Sequence, residues 1–374
     1  MSIISKLKSE LSANVKNMRG WNTNRKIVVL AVDDYGNVKI DSQKALDEME
    51  AKGVKPLSHF DIYDALETEA DLSELFKTLS SVQDKNGKAA VFTAFSLPAN
   101  VDYETIAANG YQKYEYELLP QTFAKLKGYE NAWQTWQQGM AEKLIEPQFH
   151  GREHLNVKIL NDALARKDEK TLTVLQNRSY TGISAKVYPS YTAAFDFVDF
   201  SENEGFKEII VDGLNCFEKV FGFRATNFNS PGGREHSVLH KTLSENGIHF
   251  LDMPFDKKEY QGNGKYTRQI NYMGKKNDLG QTYLIRNAVF EPIDKRKSNH
   301  IGNTLKQIEM AFRWKKPAVI SSHRVNYCGH IDENNRKNGL DALGKLLQEI
   351  VKKWPDVEFM TSSELGKLIA SEKK

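Results

Sequence analysis

Cysteine is nearly missing. The 374 residues include two, Cys216 and Cys328, far apart and with no CxxC spacing. A disulfide framework is therefore excluded, and a thiolate metal site has no support. Long apolar runs are missing too, since no segment approaches the roughly twenty apolar residues of a membrane span. The opening MSIISKLKSELSANVKNMRGW has neither the apolar centre nor the small-residue cleavage site of a secretory signal. Nor does one sign of charge dominate. With 52 basic and 49 acidic residues the net charge is +3, too balanced for a nucleic-acid or membrane-surface binder. The longest basic run, DKRKSNH at 294–300, reads as a solvated loop. These absences leave a cytoplasmic, reduced enzyme or binding protein with no nucleic-acid partner as the expectation. Nothing in the sequence bears on oligomeric state.

What is present is an ordinary globular composition, 40% hydrophobic and 27% charged, in a chain long enough to bury a sizeable core. Residues 1–25 read as an amphipathic arm carrying Ile3, Ile4, Leu7, Leu11 and Val15. From 26 to 370 short β-rich runs alternate with helical patterns, as in parallel βα units within one domain. KIVVLAV (26–32) has the continuous apolar character of a buried parallel strand. A helix over 40–53 comes next, with Asp41 as its N-cap and Gly53 as its stop. Further strands are expected at 88–95, 146–150, 225–230, 248–254, 284–292 and 318–323. Helices are expected at 132–145, 206–222, 235–247, 302–314 and 337–353. The fold class is α/β, with roughly seven βα-like units. Two intervals, 97–131 and 156–206, exceed a minimal connection and read as loops over the functional face.

Polar residues with chemical capacity fall where the apolar strands end. Asp33 and Asp34 come directly after KIVVLAV. Aspartate often just ends a strand and starts a turn, but adjacent carboxylates can also divide labour, one holding a cation and the other taking a proton. His150 ends a later strand, and His154 stands at a spacing that would place both imidazoles on one side of a helical turn. With one Asp, they would form a facial metal set. The tetrapeptide GREH recurs at 233–236, giving a rival pair, His236 and His240. That pair falls inside the expected 235–247 helix and reads as surface histidines, with a substrate contact by His236 as the alternative. His323 ends AVISSH and suits either a structural bond or acid–base work. Glu291 is a further site carboxylate or a strand cap. Tyr111, Tyr114, Tyr116, Tyr188 and Tyr191 could stack on sugar rings, although packing is the commoner role of such residues.

In this order the motifs resemble those of the polysaccharide deacetylase (NodB-homology) superfamily of carbohydrate esterases, over roughly residues 26–365. VDDYGN resembles its first motif, which implies Asp33 as general base and Asp34 as metal ligand. HGREH resembles the second, H-[S/T]-x-x-H, with Gly151 in place of Ser or Thr, and implies His150 and His154 as ligands. FNSPGG resembles the third, usually R-P-P-x-G, keeping Pro231 and Gly233 but placing Asn229 where the family has Arg. FLDMPFD is a weak counterpart of the fourth, retaining Asp252, and ISSH resembles the fifth, implying His323 as general acid. The missing Arg normally pairs with the catalytic Asp, a duty left to Arg152, Arg234 or Arg286.

The resemblance implies a distorted (β/α) barrel of about seven parallel strands, a divalent metal, zinc first among the options, and hydrolysis of an N- or O-acetyl group from a saccharide or polysaccharide. Asp33, His323 and Asp252 would be catalytic, with Asp252 orienting His323 or the departing group. Asn229, Pro231, His236, Arg152 and Glu291 would contact substrate. Two alternatives stay open. One is a glycoside hydrolase using Asp33 with Glu291, carboxylates that would stand about 5–10 Å apart. The other is a non-catalytic carbohydrate-binding protein.

Overall fold

The computed structural model describes residues 14–56, 58–183, 190–296 and 298–372. Of the arm's apolar residues, Ile3, Ile4, Leu7 and Leu11 lie outside that range, as does Tyr188. The described residues form thirteen strands. In chain order they are β1 (Lys26–Tyr35), β2 (Phe92–Ser96), β3 (Ala99–Val101), β4 (Tyr116–Leu118), β5 (Ile145–Phe149), β6 (Asn227–Phe228) and β7 (Phe250–Asp252), then β8 (Asp256–Tyr260), β9 (Tyr266–Ile270), β10 (Thr282–Leu284), β11 (Ala288–Val289), β12 (Ala318–His323) and β13 (Val357–Met360).

One parallel sheet organises the chain, in the order β10-β7-β6-β5-β2-β1-β12-β11, with β13 pairing the first half of β1. It curls into a distorted, open barrel whose two end strands do not pair among the described residues. β1 is the axis of the fold. After Lys26 every residue of it is buried, because helices cover a parallel strand on both faces. β12 runs beside it from Val28↔Ala318 to Asp33↔His323. Helix Asn203–Phe221 packs on the outside through Phe217, whose ring meets Phe149 of β5 edge-on at 6.2 Å. Since the strands are parallel, their C-terminal ends share one face, and the loops leaving those ends converge there.

The expected elements shift where local chemistry overrides periodicity. Ser42, not Asp41, caps the helix Gln43–Ala51, its hydroxyl accepting from the amide of Ala45 at 3.2 Å. The 235–247 helix is instead a 3-10 turn, Ser237–Leu239, leading into a short helix, His240–Glu245. The 284–292 strand is two strands, β10 and β11, broken at 285–287. The intervals read as loops contain structure of their own. Residues 97–131 hold the antiparallel pair β3–β4 with helices Tyr103–Ala108 and Leu119–Lys125, and 156–206 hold helices Val157–Ala165 and Glu169–Gln176. The antiparallel hairpin β8–β9 was not legible. Its DKKEY sequence alternates polar with polar, and the inward face is charged.

Candidate active site

The end of β1 is irregular. Its register with β2 runs from Val32↔Ala94 and then slips to Tyr35↔Ser96. In a regular strand adjacent side chains point to opposite faces. Here a bulge with Asp34 in the left-handed region, at φ 74°, turns both Asp33 and Asp34 into the same cavity. Gly36 closes the turn at φ 81°, where an added Cβ would stand 2.6 Å from the carbonyl oxygen of Leu97. Its amide donates to both carboxylate oxygens of buried Glu67, at 3.1 and 3.2 Å. Glu67 also accepts from Trp136 Nε1 at 2.7 Å and from Arg324 at 2.6 Å, and Arg324 donates as well to Asp64 at 2.7 Å. Arg324 is the residue after His323, so one buried ionic knot fixes both the Asp33–Asp34 turn and the His323 turn.

His150 and His154 lie not on a helical turn but on the bend after β5, and helix begins only at Val157. Gly151 makes the bend possible at φ 100°, with Pro231 packed where a Cβ would go, 3.0 Å away. This accounts for glycine where the resembled motif has Ser or Thr. His150 Nδ1 donates to the carbonyl of Asn229 at 2.7 Å, which turns Nε2 toward Asp34 Oδ1 at 3.3 Å. His154 Nε2 approaches the same oxygen at 3.2 Å. One ligand atom from each of the three residues lies within 4.8 Å of the others. Asp34 Oδ1 and His150 Nε2 are buried with no hydrogen-bond partner. Protons on the two rings would satisfy Asp34, and so would one divalent cation, for which two imidazole nitrogens and a carboxylate oxygen are a fitting donor set. Burial works against the charge of Asp34, but the two imidazoles hold its pKa well below the usual range.

Asp33 is held by Arg286, the residue at the break between β10 and β11. Nη1 donates to Oδ2 at 2.6 Å and Nη2 to Oδ1 at 2.7 Å, a bidentate fork. The same guanidinium donates through Nε to Asp252 at 2.7 Å. Asn229 Nδ2 donates to Asp33 Oδ1 at 2.9 Å. The hydrogen bond thus comes from the motif position that lacks its Arg, while the charge arrives from the break between β10 and β11. Burial pushes the Asp33 pKa up, yet the charges of Arg286 and His150 outweigh it and hold the group below its ordinary value. Asp252 fares differently, since burial, aided by Asp33, pushes it up to about 6 despite Arg286.

His323 stands next to Asp33 in register, its Nε2 3.8 Å from Asp33 Oδ2. Its Nδ1 donates to Glu291 Oε1 at 2.6 Å, and Asn326 Nδ2 donates to the other Glu291 oxygen at 2.6 Å. Burial would lower the His323 pKa, but Glu291, with smaller contributions from Asp34 and Asp33, raises it to about 10.

The cavity around these groups has a volume of about 1000 Å³, and its walls include Asp33, Asp34, His150, His154, Asn229, Asp252, Arg286 and His323. Several expected contacts are not in it. Arg152 is buried in ion pairs with Glu153 and Asp212, both at 2.7 Å, and lies over the ring of Tyr116. Pro231 is buried behind Gly151. Glu291 touches His323 rather than the cavity, and it, not Asp252, orients that imidazole. His236 packs edge-on against Phe200, with its Nδ1 accepting from the amide of Val238 at 3.0 Å. Neither His236 nor His240 is a surface histidine, because at 8% and 3% exposure both are buried. Tyr114 and Tyr191 are buried as well, and no residue of 97–131 lines the cavity. Gly182, Ser190 and Thr192 of the second interval do line it. So do Lys16, Lys39, Ser58, Phe60 and Asp61, which no sequence pattern singled out.

No family model matches the chain, and no curated protein matches it. Solved structures are similar to it. A protein assigned as a glycoside hydrolase/deacetylase from Parabacteroides distasonis aligns over 94% of this chain and 73% of its own, at 11% identity and a TM-score of 0.50. A protein assigned as a polysaccharide deacetylase from Mycobacterium smegmatis aligns over 94% and 92%, at 12% identity and 0.44. PuuE allantoinase aligns over 93% and 91%, at 11% identity and 0.45. The first of these likenesses shows a common fold, the α/β distorted barrel that the motif resemblance implied.

Proposed function

We propose that this protein is a metal-dependent hydrolase that removes an acetyl group from a saccharide. The observation that carries the reading is the convergence of Asp34, His150 and His154, one ligand atom of each within 4.8 Å of the others, beside Asp33 clamped by Arg286 and His323 bonded to Glu291. Asp34, His150 and His154 would hold the ion, with zinc the best match to two imidazoles and a carboxylate. When bound, it supplies Lewis acidity for an acyl oxygen and lowers the pKa of water.

The remaining chemistry belongs to side chains. Asp33, kept ionised by the Arg286 fork, accepts a proton from the attacking water through Oδ2, the oxygen that faces His323. Asp252 holds Arg286 from behind and so fixes the orientation of that fork. His323 carries its proton on Nε2, toward the cavity, because Nδ1 is committed to Glu291. It delivers that proton to the departing amine or alkoxide. Each positioned acid or base contributes about 10²–10⁴-fold. Support for a glycoside hydrolase is weaker, since Glu291 is occupied by His323 and Asn326 and lies outside the cavity wall.

The test combines elemental analysis of the zinc-supplied protein with acetate release from O- and N-acetylated oligosaccharides. The reading expects near-stoichiometric metal, lost in His150→Ala and retained in His240→Ala, and acetate release that tracks it. Metal without release from any acetylated saccharide would overturn the deacetylase assignment, and absence of metal would favour the binding-protein alternative.

A further inference from the structure

Three lysine or arginine side chains line the cavity among the described residues: Lys16, Lys39 and Arg286. Two are matched by carboxylates. Lys39 Nζ lies 3.2 Å from Asp61 Oδ1, and Arg286 spans Asp33 and Asp252. The outer carboxylates of the wall are matched too, Glu235 by Lys257 and Asp256 by Arg268, each at 2.7 Å. Lys16 is different. It is half-buried, no ion pair or hydrogen bond joins it to another described residue, and burial alone acts on its pKa, downward. A lysine usually escapes such a setting by extending its ammonium to water. Here the segment that carries it is fastened. Asn17 accepts from Asn287 Nδ2 at 2.8 Å, and Asn14 accepts from Trp314 Nε1 at 2.9 Å. Asn287 is the residue after Arg286, so Lys16 belongs to the side of the cavity where the clamp on Asp33 is built.

An ammonium that has lost hydration without gaining a partner is a place where an incoming anion is favoured. We propose that Lys16 binds an anionic substituent of the substrate, and that the substrate is an acidic saccharide bearing a carboxylate, of the uronic acid class, near the acetyl group. One unmatched ammonium fits a monoanion. A phosphate dianion would call for a second cation or an arginine fork, and among the described residues the wall offers neither unoccupied. This inference rests on the deacetylase reading for the acetyl group, but the binding of the carboxylate can be measured apart from it.

The experiment uses the full chain supplied with zinc and two probes sharing the ester chemistry, O-acetylated oligogalacturonate and neutral O-acetylated xylo-oligosaccharide. Wild type, Lys16→Gln and Lys16→Arg are compared at low ionic strength. The ratio of kcat/KM for the acidic probe to that for the neutral one is expected to fall about tenfold or more in Lys16→Gln, mainly through KM, and to be largely restored in Lys16→Arg. An unchanged ratio, or a wild-type preference for the neutral probe, would overturn the proposal. Calorimetry with unacetylated oligogalacturonate separates the two claims. Binding that weakens about tenfold in Lys16→Gln while neither ester is cleaved supports Lys16 and counts against the deacetylase. Esterolysis with no binding of the unacetylated acid, or no binding of either probe, counts against Lys16.

Discussion

The tetrapeptide Gly-Arg-Glu-His occurs twice, at 151–154 and 233–236, and each copy brings a second histidine four residues from its own. In the first, the glutamate is turned away from the histidines. Glu153 is bound by Arg152 at 2.7 Å and by the Tyr114 hydroxyl at 3.0 Å, while a carboxylate from another strand, Asp34, faces both imidazoles. In the second, Glu235 faces His240 at 3.7 Å, but a buried lysine already stands there. Lys257 lies 2.7 Å from Glu235 and 3.2 Å from Glu259, and Glu259 lies 3.5 Å from His236. Both places collect histidine around carboxylate in the interior. One has its cation supplied covalently, on the β8–β9 hairpin, and in the other no lysine or arginine stands against Asp34 among the described residues. What separates a candidate metal site from a structural ionic cluster is therefore the presence of a resident cation, which the sequence of the motif does not encode.

The largest effect expected from that difference is on metal. Asp34→Ala or His150→Ala should abolish stoichiometric zinc and lower acetate release by about 10³-fold or more, because the Lewis acid and its orientation go together. His240→Ala should keep its metal. Elemental analysis after gel filtration reads this directly, and loss of metal in His240→Ala alone would reverse the comparison. The converse break is Lys257→Met, which leaves Glu235 and Glu259 buried without their cation. It should cost about 3–5 kcal/mol of stability, read from the urea midpoint, with metal per chain unchanged. Burial pushes the Glu235 pKa up, but Lys257 and His240 hold it far below its ordinary value. A depressed carboxylate contributes stability above its unfolded pKa of about 4.3 and loses it as pH falls toward its folded value. The deficit of Lys257→Met should accordingly shrink in acid.

The same contrast shows why part of the site was legible. Asp33, Asp34, His150 and His323 sit where buried parallel strands end, and parallel strands deliver their ends to one face. Apolar runs marked the strands, so the polar residues after them could be placed without knowing any contact. Residues that act from off those ends left no such mark. Arg286 occupies a break inside what reads as a single strand. Lys257 is one polar residue in a polar hairpin, and Glu67, Asp64 and Arg324 meet only through the fold. Arg152, Pro231 and His236 show the opposite error. They stand within two residues of groups that line the cavity, but proximity along a bend says nothing of side-chain direction. Even the HxxxH spacing was informative for a different reason from the one it suggested, since a glycine bend and not a helical turn brings the rings together.

Arg286 sharpens the comparison from the catalytic side, because it is the cation the first site does possess, spent on Asp33 and not on Asp34. Arg286→Met should lower kcat by about 10²-fold and raise the Asp33 pKa, as burial would then act unopposed by the guanidinium. The acid limb of the pH–rate profile would move to higher pH. Arg286→Lys restores charge without the fork and should recover only part of the loss. A profile that keeps its acid limb in Arg286→Met would remove Asp33 from the role of base.

The smallest effect concerns the other end of the proton path. Glu291→Gln keeps an acceptor for His323 Nδ1 but removes the charge that most strongly opposes the effect of burial. The variant imidazole should lose its proton at lower pH, bringing the alkaline limb of kcat down from the neighbourhood of pH 10 by about one unit or more, with roughly tenfold slower turnover on that limb. Stability should respond with a definite sign. A histidine whose folded pKa is raised to about 10 contributes stability that is complete below its unfolded value near 6.5 and lost as pH rises toward 10. The difference in Tm between wild type and Glu291→Gln should therefore be widest below pH 6.5 and close at alkaline pH. If the alkaline limb moved while the Tm gap stayed flat, Glu291 would be acting on the reacting group and not through the imidazole. If neither moved, His323 would not be the acid, and the likeness between its buried pairing and the structural cluster at Lys257 would be complete.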